Sequence, residues 1–275
     1  MRIPTYLSEW INLAGRWFHV FAAIMWVGTT YYFTWLDARF TEVERAAQAN
    51  KGKPDGPEVW MVHSGGFYQV LKRKQPSLSR LHWFRWEAAL TWLSGMVLLT
   101  FVYYLGGGMV DTDVWDVSER TASLVGLGSL AVSWVVYDLL VQSPLGRNER
   151  AFAVAAFALV VGLIYLLTHT LSGRAAYIHL GAAFGTIMVA NVWQRILPAQ
   201  RRMIAATKEG RAPDEGDAAR AKLRSKHNTF MAVPVVFTMI SNHYPSGATT
   251  RGYNWVVLTV LVLVGWVAAK FVRRA

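Results

Sequence analysis

Residues 16–40, RWFHVFAAIMWVGTTYYFTWLDARF, decide the fold, because they have the pattern of a membrane-spanning helix that contains a histidine. Residues 13–36 include one charged side chain, Arg16. At about 1.5 Å per residue, they are long enough to cross a hydrocarbon layer of about 30 Å. On the helix face of His19, small residues (Ala22 and Ala23) are followed by aromatic and polar ones. We expect this face to contact protein or a cofactor.

The composition restricts the classes of protein. The chain has 275 residues, of which 53% are hydrophobic, and its net charge is +11. The basic residues lie between apolar segments, so they indicate membrane topology and no nucleic-acid partner. The chain contains no cysteine, which excludes disulfides, iron–sulfur ligation and haem attachment through C-x-x-C-H. Any haem must be bound non-covalently.

The apolar segments predict an all-α integral membrane protein, a bundle of about seven transmembrane helices that forms one membrane domain over residues 1–275. The expected helices are 13–36, 81–105, 121–141, 151–169, 175–197, 228–242 and 256–272. Connections rich in Lys and Arg alternate with connections that contain almost none. Residues 37–80 contain eight and residues 195–226 contain nine. By the positive-inside rule this places the N-terminus outside, with cytoplasmic excursions after the first and fifth helices.

Several local features have a structural interpretation. Residues 62–71 are expected to form a short hairpin that turns at Ser64-Gly65-Gly66. Pro198 is expected to end the fifth helix, and residues 199–226 to form a soluble helical excursion. Pro234 is expected to kink the sixth helix. Asp138 is expected to pair with an arginine, and Asn191 to form hydrogen bonds between helices.

Histidines at the outer side suggest haem. His19 and His179 lie at similar depth in different helices, with small residues below each of them. Two such imidazoles are what bis-histidine ligation of a b-type haem requires. His169 and His243, at helix ends, are candidates for further haem contacts. The alternative is that the small residues serve only close helix packing.

A second group of side chains lies at the inner side, where the second and sixth helices begin. Its members are His63, His82, Trp83, Arg85, Trp86, Glu87, His227 and Asn228. A planar anionic heterocycle would be served by such a set: Arg85 for its charge, Trp83 or Trp86 for stacking, and Asn228 for its edge. His82, His227 or Glu87 would be the catalytic proton acceptor. The alternatives are interfacial anchoring of Trp and Arg, or a metal or second haem on His63, His82 and His227.

Five motifs resemble the membrane-bound bacterial urate hydroxylase family, also known as the urate oxidase N-terminal domain family. They are FHVFAAIMWVGTTYYFTWLD, HSGGFYQVLKRK, LHWFRWEAALTWLSG, HLGAAFGTIMVANVWQRILPAQ and KHNTFMAVPVVFTMISNHYP. The resemblance implies a multi-pass oxidoreductase of the bacterial inner membrane. It implies that urate is oxidised to 5-hydroxyisourate in purine degradation, and that electrons pass through haem b to a cytochrome c. The histidines that match the family motifs are His19, His63, His82, His179, His227 and His243.

The sequence departs from this family in one respect, because the cysteine-bearing cytochrome c domain that members usually carry at the C-terminal end is not part of it. We therefore expect the cytochrome c to be a separate domain or protein, and homo-oligomerisation is left open. Two other classes of function remain alternatives. One is a non-catalytic cytochrome b subunit, and the other is a metal-handling or transport protein of the membrane. The convergence of Arg, Trp, His and Asn at two helix starts favours the enzyme, since electron transfer alone would not need it.

Overall fold

The computed structural model describes residues 5–49, 57–73, 81–244 and 252–273, which are mostly helical. The helices are α1 (Thr5–Ala49), α2 (Trp86–Leu99), α3 (Glu119–Gln142), α4 (Glu149–Thr170), α5 (Gly173–Ala190), α6 (Leu197–Lys208), α7 (Glu215–Ser241) and α8 (Asn254–Val272). Strands β1 (Glu58–His63) and β2 (Gly66–Leu71) form an antiparallel hairpin. Two π-helical segments extend helices: Thr100–Tyr104 follows α2, and Asn191–Ile196 joins α5 to α6.

Five helical segments are long and apolar enough to cross a membrane, as a multi-pass protein requires. They are Trp86–Tyr104, Glu119–Gln142, Glu149–Thr170, Gly173–Lys208 and Asn254–Val272. The bounds agree closely with those predicted for the second, third, fourth and seventh helices. In the part of the chain that the structure describes, α1 and α7 are long helices but are not among these five. The count of seven spans, the outside N-terminus and the single domain over 1–275 stay predictions.

Helix α5 is the centre of the bundle. Of the most apolar part of segment Gly173–Lys208, 78% is buried, against 17–22% in the other four segments. The helix begins at Ser172, whose hydroxyl accepts a hydrogen bond from the Ala175 N–H and so caps the first turn. Its buried small residues, such as Ala176 and Ala183, let neighbouring helices approach closely. Residues on α5 are therefore in contact with most of the bundle.

The predicted end of the fifth helix at Pro198 is wrong. Helix α5, the second π segment and α6 form one continuous helical rod, the α5–α6 rod, which ends at Lys208. Pro198 lies in the first turn of α6, directly after the π segment, where a missing N–H is tolerated. The predicted excursion 199–226 is helical, but it consists of α6 and the first half of α7, which continue the bundle helices.

These two extensions, α6 and the start of α7, are tied together by Asp217. Its carboxylate accepts hydrogen bonds from Arg202 at 2.5 and 2.9 Å and from Arg220 at 2.6 Å. The two guanidinium groups hold the pKa of Asp217 well below its usual range. The carboxylate is therefore charged at neutral pH, and it links the two extensions.

The predicted hairpin is confirmed, and it begins earlier than expected, at Glu58. It turns at Ser64 and Gly65, which both have positive φ angles, of 50° and 78°. The hairpin packs on the C-terminal half of α1, which continues beyond the predicted 13–36 helix: Val59 is buried against Leu36 and Phe40. The end of the bundle that carries the hairpin and α6 is called the basic end below.

A polar network connects α3, the second π segment and α7 at the basic end, and we call it the Asp138 network. Its members are Tyr137, Asp138, Asn191, Arg195, Arg224 and Asn228. Asp138 pairs with Arg195 and with Arg224, the latter at 2.7 Å. Arg224 also donates to the side-chain Oδ1 of Asn191 at 3.2 Å. The expected arginine partner of Asp138 and the hydrogen bonds of Asn191 are thus confirmed.

We expect Asp138→Ala to destabilise the protein by about 3–5 kcal/mol, because it leaves the buried Arg224 without its counter-charge. The measurement is thermal unfolding of the detergent-solubilised protein. Glu209→Ala is the matched control, since it removes a carboxylate whose arginine partner, Arg211, is exposed. That change should cost less than about 1 kcal/mol. Equal melting of the two variants would contradict the role given to Asp138.

Candidate functional site

Two sets of contacting side chains lie at the basic end where α2 begins: Arg85, Trp86 and Trp193 form one, and His82 and Glu87 form the other. We call this cluster the α2 mouth; it consists of His82, Arg85, Trp86, Glu87 and Trp193. The Arg85 guanidinium lies 5.5 Å from the ring centre of Trp86 and 6.0 Å from that of Trp193. The two indole rings meet edge to face, with centroids 5.8 Å apart. The structure thus places a cation beside two large aromatic rings that contact each other.

Three polar atoms of the α2 mouth are buried without a hydrogen-bond partner among the described residues. They are the Nε of Arg85, the Oε2 of Glu87 and the Nε1 of Trp193. A buried polar group without a partner costs about 1–3 kcal/mol, so such atoms need an explanation. Two donors and one acceptor, set beside aromatic rings, match the edge of a planar heterocycle that carries carbonyl and N–H groups. This unused hydrogen-bonding capacity marks the α2 mouth as the candidate binding site.

The remaining contacts of the α2 mouth involve residues 82–87, which lead into α2 and form its first turn. His82 is exposed, and its Nε2 lies 3.8 Å from Oε1 of Glu87. Its ring packs on Phe84, with centroids 4.5 Å apart. Trp83 is half-buried and packs on the core, and its carbonyl accepts the Arg85 N–H at 2.9 Å. Glu87 therefore connects the buried side of the cluster to an exposed imidazole.

Trp193 is the member that the sequence analysis missed. It lies in Asn191–Ile196, where the helix widens to π geometry. Single π turns inside α-helices are frequent at functional sites, because the extra residue changes the direction of nearby side chains. The motif VANVWQR contained the signal, a tryptophan beside intramembrane polar residues, but only the fold brings it to α2.

Three residues that were predicted to share this inner site lie elsewhere. Asn228 is used structurally: it accepts from Asn191 at 2.9 Å and donates to the Met188 carbonyl at 3.1 Å. His63 is exposed at the hairpin tip beside Ser64. His227 faces α3 and α4. Among the described residues, no hydrogen bond, ion pair or ring contact joins these three to the α2 mouth.

The alternative of a metal on His63, His82 and His227 receives no support from the structure. Within the described ranges, no group of three or more His, Asp or Glu side chains is placed to hold a metal ion. The three imidazoles belong to the hairpin tip, the α2 mouth and α7.

The predicted haem ligands pack differently from each other. His179 is fully buried; its Nδ1 donates to the Ala175 carbonyl at 2.7 Å, and its Nε2 lies 3.0 Å from the Tyr104 hydroxyl. His19 of α1 is half-buried against α2, and its Nδ1 lies 3.0 Å from the hydroxyl of Ser94. Both ring nitrogens of His179 are thus engaged by protein groups. As arranged, the pair does not fit bis-histidine haem ligation unless Tyr104 moves away from His179.

The two further haem candidates lie at helix ends. His169 is exposed near the end of α4, where its ring stacks on Tyr165 at 3.9 Å and its Nδ1 donates to the Tyr165 carbonyl at 2.8 Å. His243 is exposed just after α7. It lies next to Asn242, whose side-chain Oδ1 accepts a hydrogen bond from the Tyr103 hydroxyl at 2.8 Å. Their predicted contacts with haem stay predictions.

Comparison with known proteins identifies one family. The family profile described as "Urate oxidase N-terminal" matches residues 5–275, nearly the whole chain. No curated protein and no solved structure matches the chain. The resemblance that the five motifs indicated is thereby confirmed.

Gly126 of α3 is required by the packing of His179, and this can be tested. A Cβ on Gly126 would lie 2.6 Å from Nε2 of His179. We expect Gly126→Ala to lower the free energy of unfolding by about 1–3 kcal/mol, as overpacking does. Gly128→Ala, on the opposite face of the same helix, is the control, because a Cβ there meets no atom within 4 Å. It should be neutral or stabilising by up to about 1 kcal/mol. Thermal unfolding that ranks the two variants in the opposite order would contradict this packing.

Proposed function

Because the chain belongs to the urate oxidase N-terminal family, we propose that it is a membrane oxidoreductase that binds and oxidises urate at the α2 mouth. The family relation points to a urate-related function. The observation that carries the proposal is the set of three buried atoms of the α2 mouth that have no hydrogen-bond partner among the described residues, next to the Trp86–Trp193 ring pair. Urate is a planar anion with carbonyl and N–H groups along its edge, and it complements this set.

Each residue of the mouth has a defined role in this proposal. Arg85 neutralises the anion and donates through its free Nε, and Trp193 donates from Nε1 to a second carbonyl oxygen. Glu87 accepts a hydrogen bond from a ring N–H, or from the attacking water, through its free Oε2. Because Trp86 and Trp193 meet edge to face, one of the two indoles stacks on a face of the purine ring and the other contacts its edge. Trp83 positions Arg85 through its carbonyl.

The reaction adds water to urate and removes two electrons. Urate and water give 5-hydroxyisourate, two protons and two electrons, so a base and an electron acceptor are both needed. Glu87 is suited to take the proton from water, because its carboxylate is at the mouth and lies 3.8 Å from His82. His82 is exposed and passes the proton to solvent. His227, which was predicted as an alternative base, has no contact with this cluster and receives no role in the step.

The electron route is part of the proposal that rests on family resemblance alone. A haem b would supply one-electron transfer toward a cytochrome c, which is a separate domain or protein. Since His19 and His179 do not fit haem ligation as arranged, no step above depends on haem. The bacterial inner membrane is the proposed location, which agrees with the five apolar spans. Homo-oligomerisation stays open.

The role of Arg85 predicts a specific kinetic defect. Arg85→Ala should raise KM for urate by about 10- to 100-fold, the loss expected for a hydrogen bond to a charged group. Arg150→Ala, which removes an exposed arginine from the start of α4, should leave KM unchanged. Steady-state turnover with ferricyanide as acceptor measures both. Equal KM values for the two variants would remove Arg85 from the site.

The role of Glu87 predicts a different defect. Glu87→Gln keeps the shape and the acceptor atom but removes the base, so kcat should fall by about 10²- to 10⁴-fold while KM changes little. The same turnover assay, run across a pH series, measures this. A kcat close to that of the wild type would show that Glu87 is not the base.

A further inference from the structure

A large apolar cavity lies between α3 and α4, and Trp193 is not among the residues that line it. Its volume is about 940 Å³. It extends along α4 from Glu149 to Leu166, which at about 1.5 Å per residue is roughly 25 Å. Phe184 and Ile187 of the central helix α5 form part of its wall. This shape suits a long molecule better than a compact one.

The cavity opens sideways, within segments apolar enough to cross a membrane. Val132 of α3 and Leu159 of α4 both line it, yet they are 59% and 46% exposed. In a bilayer these exposed side chains face lipid, so a ligand enters from the membrane. Small lining residues such as Gly128, Ala156 and Gly162 leave the cleft open.

Polar side chains that bear ionisable groups lie only at the basic end of the cavity, where the Asp138 network meets it. Arg224 can only donate, so its bond to the Asn191 carbonyl fixes the orientation of that amide. The Asn191 amide nitrogen therefore donates to the Tyr137 hydroxyl at 3.0 Å. The Tyr137 hydroxyl lies 2.9 Å from Nδ1 of His227, and its proton is available to donate to that nitrogen.

This chain of hydrogen bonds favours one tautomer of His227. With Nδ1 as acceptor, the neutral ring carries its proton on Nε2, which has no hydrogen-bond partner among the described residues. His227 lines the cavity, and its ring is held by stacking on Phe152 at 4.5 Å and 7°. The end of the cavity thus presents a fixed N–H donor to a ligand that carries an acceptor.

The charges at this end favour a neutral acceptor over a phosphate. Lys226 is paired with Glu149 at 2.7 Å, so its charge is already balanced. Arg147 is exposed at the rim. A phosphate would have to approach the Glu149 carboxylate, whereas a carbonyl oxygen needs only the N–H of His227.

We propose that this cavity binds an isoprenoid quinone, with a ring carbonyl on Nε2 of His227 and the apolar tail along α4. The binding site goes beyond the proposed function, while the role as electron acceptor rests on it. The quinone takes up two electrons and two protons and leaves as quinol, which balances the two electrons and two protons released from urate and water. Asn191 and Trp193, two residues apart, connect the quinone end of the cavity to the α2 mouth. The quinone is a membrane-borne acceptor in addition to the cytochrome c.

The test is calorimetric titration of the detergent-purified full chain with decylubiquinone. Gly162→Leu places a side chain in the cavity at a position where a Cβ meets no atom within 4 Å, so the fold should be retained. Gly28→Leu is the matched control, since its Cβ also meets nothing and Gly28 does not line the cavity. We expect at least about tenfold weaker binding for Gly162→Leu and for His227→Leu, and unchanged binding for Gly28→Leu.

Three results would overturn the proposal. The first is equal affinity of Gly162→Leu and the wild type. The second is displacement of decylubiquinone by phosphatidylglycerol in the micelle, which would assign the cavity to a phospholipid. The third is a bound haem whose visible spectrum is lost in His227→Leu.

The same variants separate this proposal from the urate proposal. Gly162→Leu should keep urate turnover with ferricyanide and lose turnover with decylubiquinone. If the wild type binds the quinone but does not oxidise urate with either acceptor, the urate proposal fails and the quinone site stands.

Discussion

The ion pairs of Asp138 with Arg195 and Arg224 are the constraint on which the basic end of the bundle depends. A carboxylate and a guanidinium can be buried between helices only when they are paired and their remaining hydrogen-bonding groups are used. This requirement fixes α3, the α5–α6 rod and α7 in one relative position. It also decides which way the Asn191 amide points, so that its nitrogen donates to the Tyr137 hydroxyl, which contacts His227. A stabilising network thereby sets the chemistry of the cavity end.

The α2 mouth and the cavity differ in polarity. The α2 mouth has donors and an acceptor without partners among the described residues, and its arginine lies beside two aromatic rings. The cavity is lined mostly by apolar side chains, and His227 lies at its basic end. A polar anion and an apolar oxidant are suited to these two environments. Asn191, whose amide contacts Tyr137 at the cavity, and Trp193, which contacts Arg85, are two residues apart in the same π segment.

The alternatives to a urate enzyme differ in what they require of these sites. An electron-transfer subunit has no need for partnerless polar atoms at a helix start, and a metal-handling protein needs a cluster of ligands that the described residues do not form. The first π segment, Thr100–Tyr104, places Tyr104 on His179, and this contact engages the nitrogen that a haem iron would need. The haem prediction therefore depends on a movement of Tyr104.

The sequence alone predicts the helical membrane class, the bounds of four helices, the hairpin, the family and four members of the candidate site. These follow from local signals: apolar length, turn residues, and motifs such as LHWFRWE whose members are neighbours in the chain. Only the tertiary structure decided which distant residues meet. In the folded chain Trp193 contacts Arg85, whereas His227 and Asn228, which were predicted to share their site, contact other residues. The reason is that His227 and Asn228 are adjacent in the chain but point to different neighbours of α7, and helix packing alone determines which neighbours those are.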